Sequence, residues 1–450
     1  MWAGAPHSAV TPRLATRHRP WQHGTAMAHV AVIAPPFAGH LNPMQAIAGS
    51  LASHGHRVSF VTLPGAAGHL GQTIGQLNLV APGLPTDFLA RLKHQIGATP
   101  PIDWWPDVKA LRSLLIALAQ MTRALCCEAP ARLRQAGVDA ILADQTEAGG
   151  GLIARHLGLP FASVANALPI DPDPEMPPIF TTWRPVQGKL GVLRNRIGYA
   201  LADIMADPLN SEITQWAERW RLGRIRCLSD CLSPTLQLAQ IVPALNFSHR
   251  QTLGDMVFCG PFRNGGEALP DAPPPPMAAN AFVSLGTLQG GRRDLLRAMT
   301  SACQENGLHP LTVHGGGLSP KPHDGSDDLW LRDHTDHGPI LAQARLTLCH
   351  GGLNTVLDSL IAGVPLLIVP LAFEQAAIAR RVVAAGAGLA VSAKRSPARL
   401  AAGLSRAVSE ILHDPTYGIR AIALGTALKQ PGGATLAAKM METVCLTPRP

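Results

Sequence analysis

The stretch LTLCHGGLNTVLDSLIAGVPLLIVPLAFEQ, residues 346–375, decides the fold. It opens on a short apolar run without alternation, the pattern of a strand covered on both faces of a parallel sheet. His350, Gly351 and Gly352 turn the chain. Apolar residues at helical spacing then lead from Leu353 to a second apolar run, PLLIVP. Strand, turn, helix and strand in that order make one βαβ unit. At the strand's carboxyl end such a unit presents the helix's unpaired N–H groups and the positive end of its dipole. Glycines let a phosphate approach the backbone there, so Asn354 and Thr355 are placed to hold a diphosphate. Asp358 lies one turn further on, placed to accept hydrogen bonds from ribose hydroxyls. Glu374 and Gln375 follow the second strand as a polar pair suited to sugar hydroxyls. A tight strand-to-helix turn needs the same glycines for geometry alone; the polar residues that accompany it favour a ligand site.

The same alternation surrounds this unit. AFVSLGT, LTVHGG, LWLRD and GLAVS read as further buried strands, with helices beginning near Arg292, Pro339, Leu353, Glu374 and Ser396. Upstream, HVAVIAP, PFAGHLNPMQAIAGSLASHGH and RVSFVT give strand, loop with helix, and strand; AILAD (140–144) and FASVAN (161–166) flank another helix. A Pro-rich loop, LPIDPDPEMPPIF, precedes a segment of helical spacing that carries Trp183, Trp216 and Trp220. DAPPPPMAAN (271–280) interrupts the pattern, because four consecutive prolines enter neither a helix nor a central strand. The expected organisation is an N-terminal α/β domain over 28–270, a Pro-rich linker over 271–280, and a C-terminal α/β domain over 281–433. A helix and tail over 434–450 are expected to pack back towards the first domain. Doubly wound sheets bind ligands beyond the carboxyl ends of their strands, which places function in a cleft between the two.

At 450 residues, 46% hydrophobic and 15% charged, the chain carries material for two large cores and is not a disordered polymer. No run of eighteen apolar residues suits a membrane span. An excess of 38 basic over 30 acidic residues would advertise a nucleic-acid partner if it were clustered. It is not. Arg13, Arg17 and Arg19 hold three of the eight surplus charges, and residues 346–375 contain no Lys or Arg. Residues 1–27 lack the apolar stretch of an export signal; they read as a disordered basic arm, or as an over-long start with Met27 the true beginning. The eight cysteines form no CxxC pair and the eighteen histidines are scattered, so neither a disulfide framework nor a metal site is legible. His54 and His56 read as a helix-end and turn pair.

The signature HGGLNTVLDSLIAGVPLLIVPLAFEQ resembles the donor-binding motif of the GT-B glycosyltransferases, in which two Rossmann-like, doubly wound domains face each other across a cleft. IAPPFAGHLNPMQAIAGSLASHGHRVSFVT resembles that family's opening strand, catalytic loop and helix. Together with ALPIDPDPEMPP and FVSLGTLQG, these stretches are similar to the carotenoid branch, the zeaxanthin glucosyltransferases, over nearly everything from Met27 onward. The resemblance implies an inverting hexosyl transfer from UDP-glucose to hydroxyls of a carotenoid such as zeaxanthin, giving mono- and diglucosides. It implies that His40 is the general base and Asp144 its partner, a carboxylate that fixes the tautomer and stabilises the imidazolium. On the donor side it implies Ser284, Gly286 and Thr287, with His350, Gly351, Gly352, Asn354, Thr355, Asp358, Glu374 and Gln375. His334 and His337 stand where the wider family has a tryptophan on uracil and a glutamine; imidazole stacks over less area. Candidate acceptor walls are Phe37, Gly39, Leu168 and Ile170, with Trp104, Trp105 and the helix over 110–121.

UDP-glucose would be a co-substrate, with no cofactor. The DxD motif that holds a cation in other glycosyltransferases has one literal match, Asp171-Pro172-Asp173, in a Pro-rich loop of the wrong domain. Metal independence is therefore expected, with charge on the leaving diphosphate met by backbone donors, the helix dipole and His350. The expected partners are a nucleotide sugar and a lipophilic hydroxylated acceptor, with no nucleic acid. The expected location is the cytoplasm, with transient contact at the inner membrane face. Two rival readings are a transferase for another lipophilic aglycone, macrolide or polyphenol, and a non-catalytic helper of the same fold. The helper would lack the base or break the donor motif, and both are intact.

Overall fold

A computed structural model describes residues 27–447, apart from 65–69, 71–74, 80, 82, 102–106, 171–172, 187, 247–255, 264–278, 319–330 and 333–336. The basic arm over 1–26, Trp104, Trp105, Asp171, His334 and most of the Pro-rich linker lie outside the described residues, as does the side chain of His337.

The chain builds two parallel sheets. The first uses β1 (His29–Ile33), β2 (Arg57–Thr62), β3 (Gly75–Asn78), β4 (Ala140–Asp144), β5 (Phe161–Ala165), β6 (Gln237–Ala239) and β7 (Met256–Phe258), in the order β3-β2-β1-β4-β5-β6-β7. The second uses β8 (Ala281–Ser284), β9 (Pro310–Val313), β10 (Leu331–Arg332), β11 (Leu346–Cys349), β12 (Leu366–Ile368) and β13 (Gly388–Ala390), in the order β10-β9-β8-β11-β12-β13. β1, β4 and β5 are buried at every position, in keeping with their mainly apolar sequences that lack alternation. The strand order reverses between β1 and β4 in one sheet and between β8 and β11 in the other. Doubly wound sheets open a ligand crevice at such switch points. Register makes the paired ends level: Ile33 lies beside Ala143, and Cys349 beside Ser284. His40 and Asp144 thus belong to one crevice, and Gly286 and His350 to the other.

Side chains from both domains share one core. Leu168, Ile241, Val242 and Leu245 of the first pack with Leu353, Val356 and Leu357 of the second. The C-terminal helix Gly433–Met441 crosses back onto the helix Ala38–Ser53, and its Ala434, Ala437, Ala438 and Met441 join Val30, Val32, Met44 and Ile47 in the core of the first domain. Glu442 follows and bonds to both His54 (2.7 Å) and His56 (3.2 Å). The helix Val108–Ala136 is long and apolar enough, by length and composition, to cross a membrane; here Met121, Leu125, Ala129 and Leu133 bury it in the first domain's core.

Candidate active site

His40 owes its place to a proline. Pro35 and Pro36 end β1, and the helix Ala38–Ser53 starts directly after Phe37. Pro43, inside that helix, has no N–H to give to the carbonyl four residues back, so the oxygen of Gly39 is left available. Asn354, on the first turn of the helix Leu353–Ile361, reaches across the cleft and donates to that oxygen at 2.9 Å. The helix defect on one domain is therefore the docking point for the other, one residue from His40.

His40 Nδ1 lies 2.8 Å from Asp144 Oδ2. Asp144 ends β4 fully buried, and it accepts further bonds from the Thr146 amide (2.8 Å), the Thr146 hydroxyl (2.6 Å) and the Asn166 amide (2.7 Å). Burial alone would raise its pKa, but His40 and Thr146 together outweigh it and hold the carboxyl below its usual range. Burial likewise disfavours a charged His40, yet Asp144 and, across the cleft, Glu374 carry its pKa above the ordinary imidazole value. With Nδ1 committed to Asp144, Nε2 has no partner among the described residues.

On the donor side the structure re-reads the glycines. A Cβ on Gly286 or on Gly352 would lie 2.8 or 2.7 Å from the His350 ring, so both are small because the imidazole is seated between them. Gly351 (φ +91°) is also tight, its Cβ position 2.9 Å from Ile368. Burial pushes the His350 pKa down to about 4 against a backbone bond at Ser284, so the ring is neutral at pH 7 and can act only as a hydrogen-bond donor or acceptor. Its Nδ1 is buried without a partner among the described residues. Ser284 is buried and its hydroxyl accepts from the Gly286 amide at 3.1 Å, while Thr287 is exposed. The helix Leu353–Ile361 starts at Gly352 with no side-chain cap, leaving its first N–H groups free for an anion.

Four expected contacts take a different form. Asp358 is paired with Arg263 at 2.5 Å rather than free for a ribose. Gln375 is buried, and its side-chain oxygen accepts from the amides of Leu371 (2.8 Å) and Ala372 (2.9 Å), pinning the turn instead of facing a sugar. That turn holds Phe373 at φ +55°, a left-handed conformation costly for a bulky residue. Phe37 and Leu168, expected on the acceptor wall, belong to core clusters because each is covered by neighbouring apolar side chains. Thr355 is buried on its helix, Gly39 is exposed at the cleft, and Glu374 is electrostatically coupled to His40. Ile170 is half-buried, its amide donating to Gln145 at 3.2 Å.

Arg263 was not legible beforehand. It lies at the end of the first domain and donates to Asp358, to the Asn354 backbone oxygen (3.1 Å) and to Gln240 (3.3 Å), fastening the donor helix to the other domain. An isolated arginine before a Pro-rich stretch carries no sequence signal of this. An open apolar cleft lies between the domains, walled by Leu92, Ile96, Leu111, Leu114, Phe180 and Phe373. Leu111 and Leu114 belong to the helix over 110–121, and Phe373 comes from the donor domain.

Glu147 is a further buried carboxyl, three residues past Asp144. It caps the helix Ala148–Leu157 by accepting from Gly149 (3.2 Å) and from the Thr122 hydroxyl (3.0 Å), while Oε2 has no partner. Burial pushes its pKa up to about 7. A proton held more tightly folded than unfolded gives stability that is complete at low pH and lost as pH rises through about 7. Glu147→Gln, which keeps the accepting oxygen, should therefore stabilise the protein at pH 8 by about 2–3 kcal/mol and far less at pH 5. Urea unfolding at both values is the measurement; an equal gain at each would refute the assignment.

Two parallel-sheet domains whose switch points face one another across a shared cleft define a GT-B glycosyltransferase. Residues 328–419 match the glycosyltransferase family 28 C-terminal domain. The chain is 33% identical to a zeaxanthin glucosyltransferase of Pseudescherichia vulneris over 92% of its own length and 98% of the relative's. It is 32% identical to a zeaxanthin glucosyltransferase of Pantoea ananas, over 94% and 97%. Among solved structures, the glycotransferase of kitacinnamycin superposes with a TM-score of 0.68 at 19% identity, covering 93% of this chain and 98% of that one. The chain belongs to the GT-B glycosyltransferase family that includes the zeaxanthin glucosyltransferases.

Proposed function

We propose that this glycosyltransferase moves glucose from UDP-glucose to the hydroxyls of a carotenoid such as zeaxanthin, with inversion, giving mono- and diglucosides. The observation that carries this reading is the His40–Asp144 pair at the carboxyl edge of one sheet, with Glu374 and the uncapped donor helix of the other beside it. His40 Nε2 takes the proton of the acceptor hydroxyl. The oxygen forms its bond to the anomeric carbon as the bond to the diphosphate breaks, and UDP departs towards the free N–H groups at Leu353 and Asn354. Asp144 does not move a proton; it holds the ring and stabilises the imidazolium. His350 meets the phosphates as a neutral hydrogen-bonding ring, not as a cation. The apolar cleft beside Phe180 and Phe373 suits a hydrocarbon acceptor, and the identity to zeaxanthin glucosyltransferases over nearly the whole chain favours a carotenoid over a macrolide or polyphenol. No metal or cofactor enters this scheme.

Purified protein incubated with UDP-glucose and a panel of hydroxylated carotenoids, flavonoids and macrolides is expected to convert zeaxanthin in two successive steps. The rate is expected to be unchanged by EDTA. Products from the polyphenols alone would move the assignment to the rival acceptor class, and a loss in EDTA restored by magnesium would overturn the metal-free donor site.

A further inference from the structure

The helix Lys189–Met205 is amphipathic in the reverse sense for a folded protein. Leu190, Leu193, Ile197, Leu201 and Ile204 recur at the three- and four-residue spacing of one helix face, and they are between 46% and 80% exposed. The face against the protein is instead Gly191, Asn195 and Gly198, all buried. A Cβ on Gly198 would lie 2.8 Å from the Trp183 ring, and one on Gly191 only 1.8 Å from the Val186 oxygen. Asn195 donates to the Pro174 carbonyl at 3.0 Å. The helix cannot turn its leucines inward, because at Gly191 and Gly198 even a Cβ would clash and Asn195 is held by its bond to Pro174. The outward stripe is fixed by the packing.

Charge flanks the stripe. On a helical wheel Arg194 borders it on one side and Lys189 and Arg196 on the other, with Arg184 just upstream. Arg194 is held over the Trp183 ring (5.0 Å) and bonded to the Arg184 carbonyl (2.9 Å), so its position is set. Asp203 and Asp207 lie at the far end, leaving the first two turns basic.

We propose that this face docks the protein on the surface of an anionic phospholipid bilayer. An apolar stripe bordered by Lys and Arg is the pattern of a helix lying in the headgroup region, with the aliphatic side chains below and the cations among the phosphates. A second copy of the chain fits less well. A stable protein interface engages about 20–30 residues a side, against five stripe residues here, and the basic flanks of two identical faces would repel. The loop before the helix also carries Phe180, a wall of the apolar cleft, so on the reading proposed above the docking face and the cleft are joined by one short segment of chain.

Flotation of the full-length chain with vesicles tests the docking without any acceptor or turnover, so its failure is separable from failure of the proposed activity. The protein should float with phosphatidylcholine vesicles containing phosphatidylglycerol, and by about tenfold less with phosphatidylcholine alone or in high salt. The doubly substituted Leu193→Glu, Ile197→Glu protein should stay with the free fraction, and Lys189→Glu with Arg196→Glu should abolish the preference for the anionic lipid. Both pairs lie on exposed positions, so circular dichroism and melting should be unchanged. Flotation of the Leu193→Glu, Ile197→Glu protein at the wild-type level, or no flotation of the wild type, would overturn the proposal. So would a wild-type dimer in solution that those two substitutions convert to a monomer, which would assign the face to a second copy.

Discussion

His40→Ala should lower kcat by about 10²–10⁴-fold, the contribution of a positioned general base, while the affinity for UDP measured by calorimetry stays at the wild-type level. The base and the donor helix stand on different domains, and the contact between them, Asn354 to Gly39, uses a backbone oxygen that the substitution leaves in place. The pH profile gives a second readout. His40 accepts a proton only when neutral, and its pKa is raised. The acid limb of kcat/KM should therefore fall through a midpoint above the usual imidazole value of about 6.5. Asp144→Asn removes the negative charge that raises it while keeping a side-chain oxygen, so the limb should move to lower pH as the rate drops. Wild-type turnover by the alanine variant, or a limb that Asp144→Asn leaves in place, would refute the base assignment.

Gly352→Ala should weaken donor binding more than tenfold and destabilise the protein by about 1–3 kcal/mol, the range for forcing a methyl into a packed site. Gly352 has ordinary backbone angles (φ −62°), so the effect is not one of backbone strain. It arises from a Cβ 2.7 Å from a ring that is itself buried and closed in by Gly286 on its other side. The double variant His350→Ala, Gly352→Ala empties the space the methyl needs and should recover the stability without recovering UDP affinity. A donor loop that tolerates Gly352→Ala unchanged would show that the ring is free to move and that its seat does not shape the site.

The two-sheet architecture was legible because its central strands are short, mainly apolar runs without alternation: HVAVI, AILAD, AFVS and LTLC carry the same signal that burial later explains. The outer strands were not. Gly75–Asn78, at one edge of its sheet, and Gln237–Ala239, second from the other edge, are short and include polar residues, and each is held by pairing to the strand beside it. At the site, the positions that follow strand ends could be read from spacing, since topology delivers them to one crevice. What spacing could not give was each side chain's direction. Asp358 and Gln375 sit in the expected places but turn to Arg263 and to the Leu371–Ala372 amides, partners fixed by chain segments remote in sequence or by the local shape of a turn. In sequence the glycines of the donor turn suggest room for a phosphate, while in the fold the space beside Gly286 and Gly352 is filled by the His350 ring.

The helix Gly433–Met441 has a consequence for how the molecule is made. On one side of the first sheet, Val30 and Val32 of β1 and Met44 and Ile47 of the helix Ala38–Ser53 share a core with Ala434, Ala437, Ala438 and Met441, residues synthesised some four hundred positions later. Ribosomes build chains at about 5–20 residues per second, so that side waits tens of seconds for its cover while the second domain is still emerging. During that interval the nascent chain exposes an apolar surface that its own sequence cannot yet hide. Expression should accordingly be sensitive to chaperone supply, and a chain released before residue 433 should aggregate even though every strand of both sheets has been made.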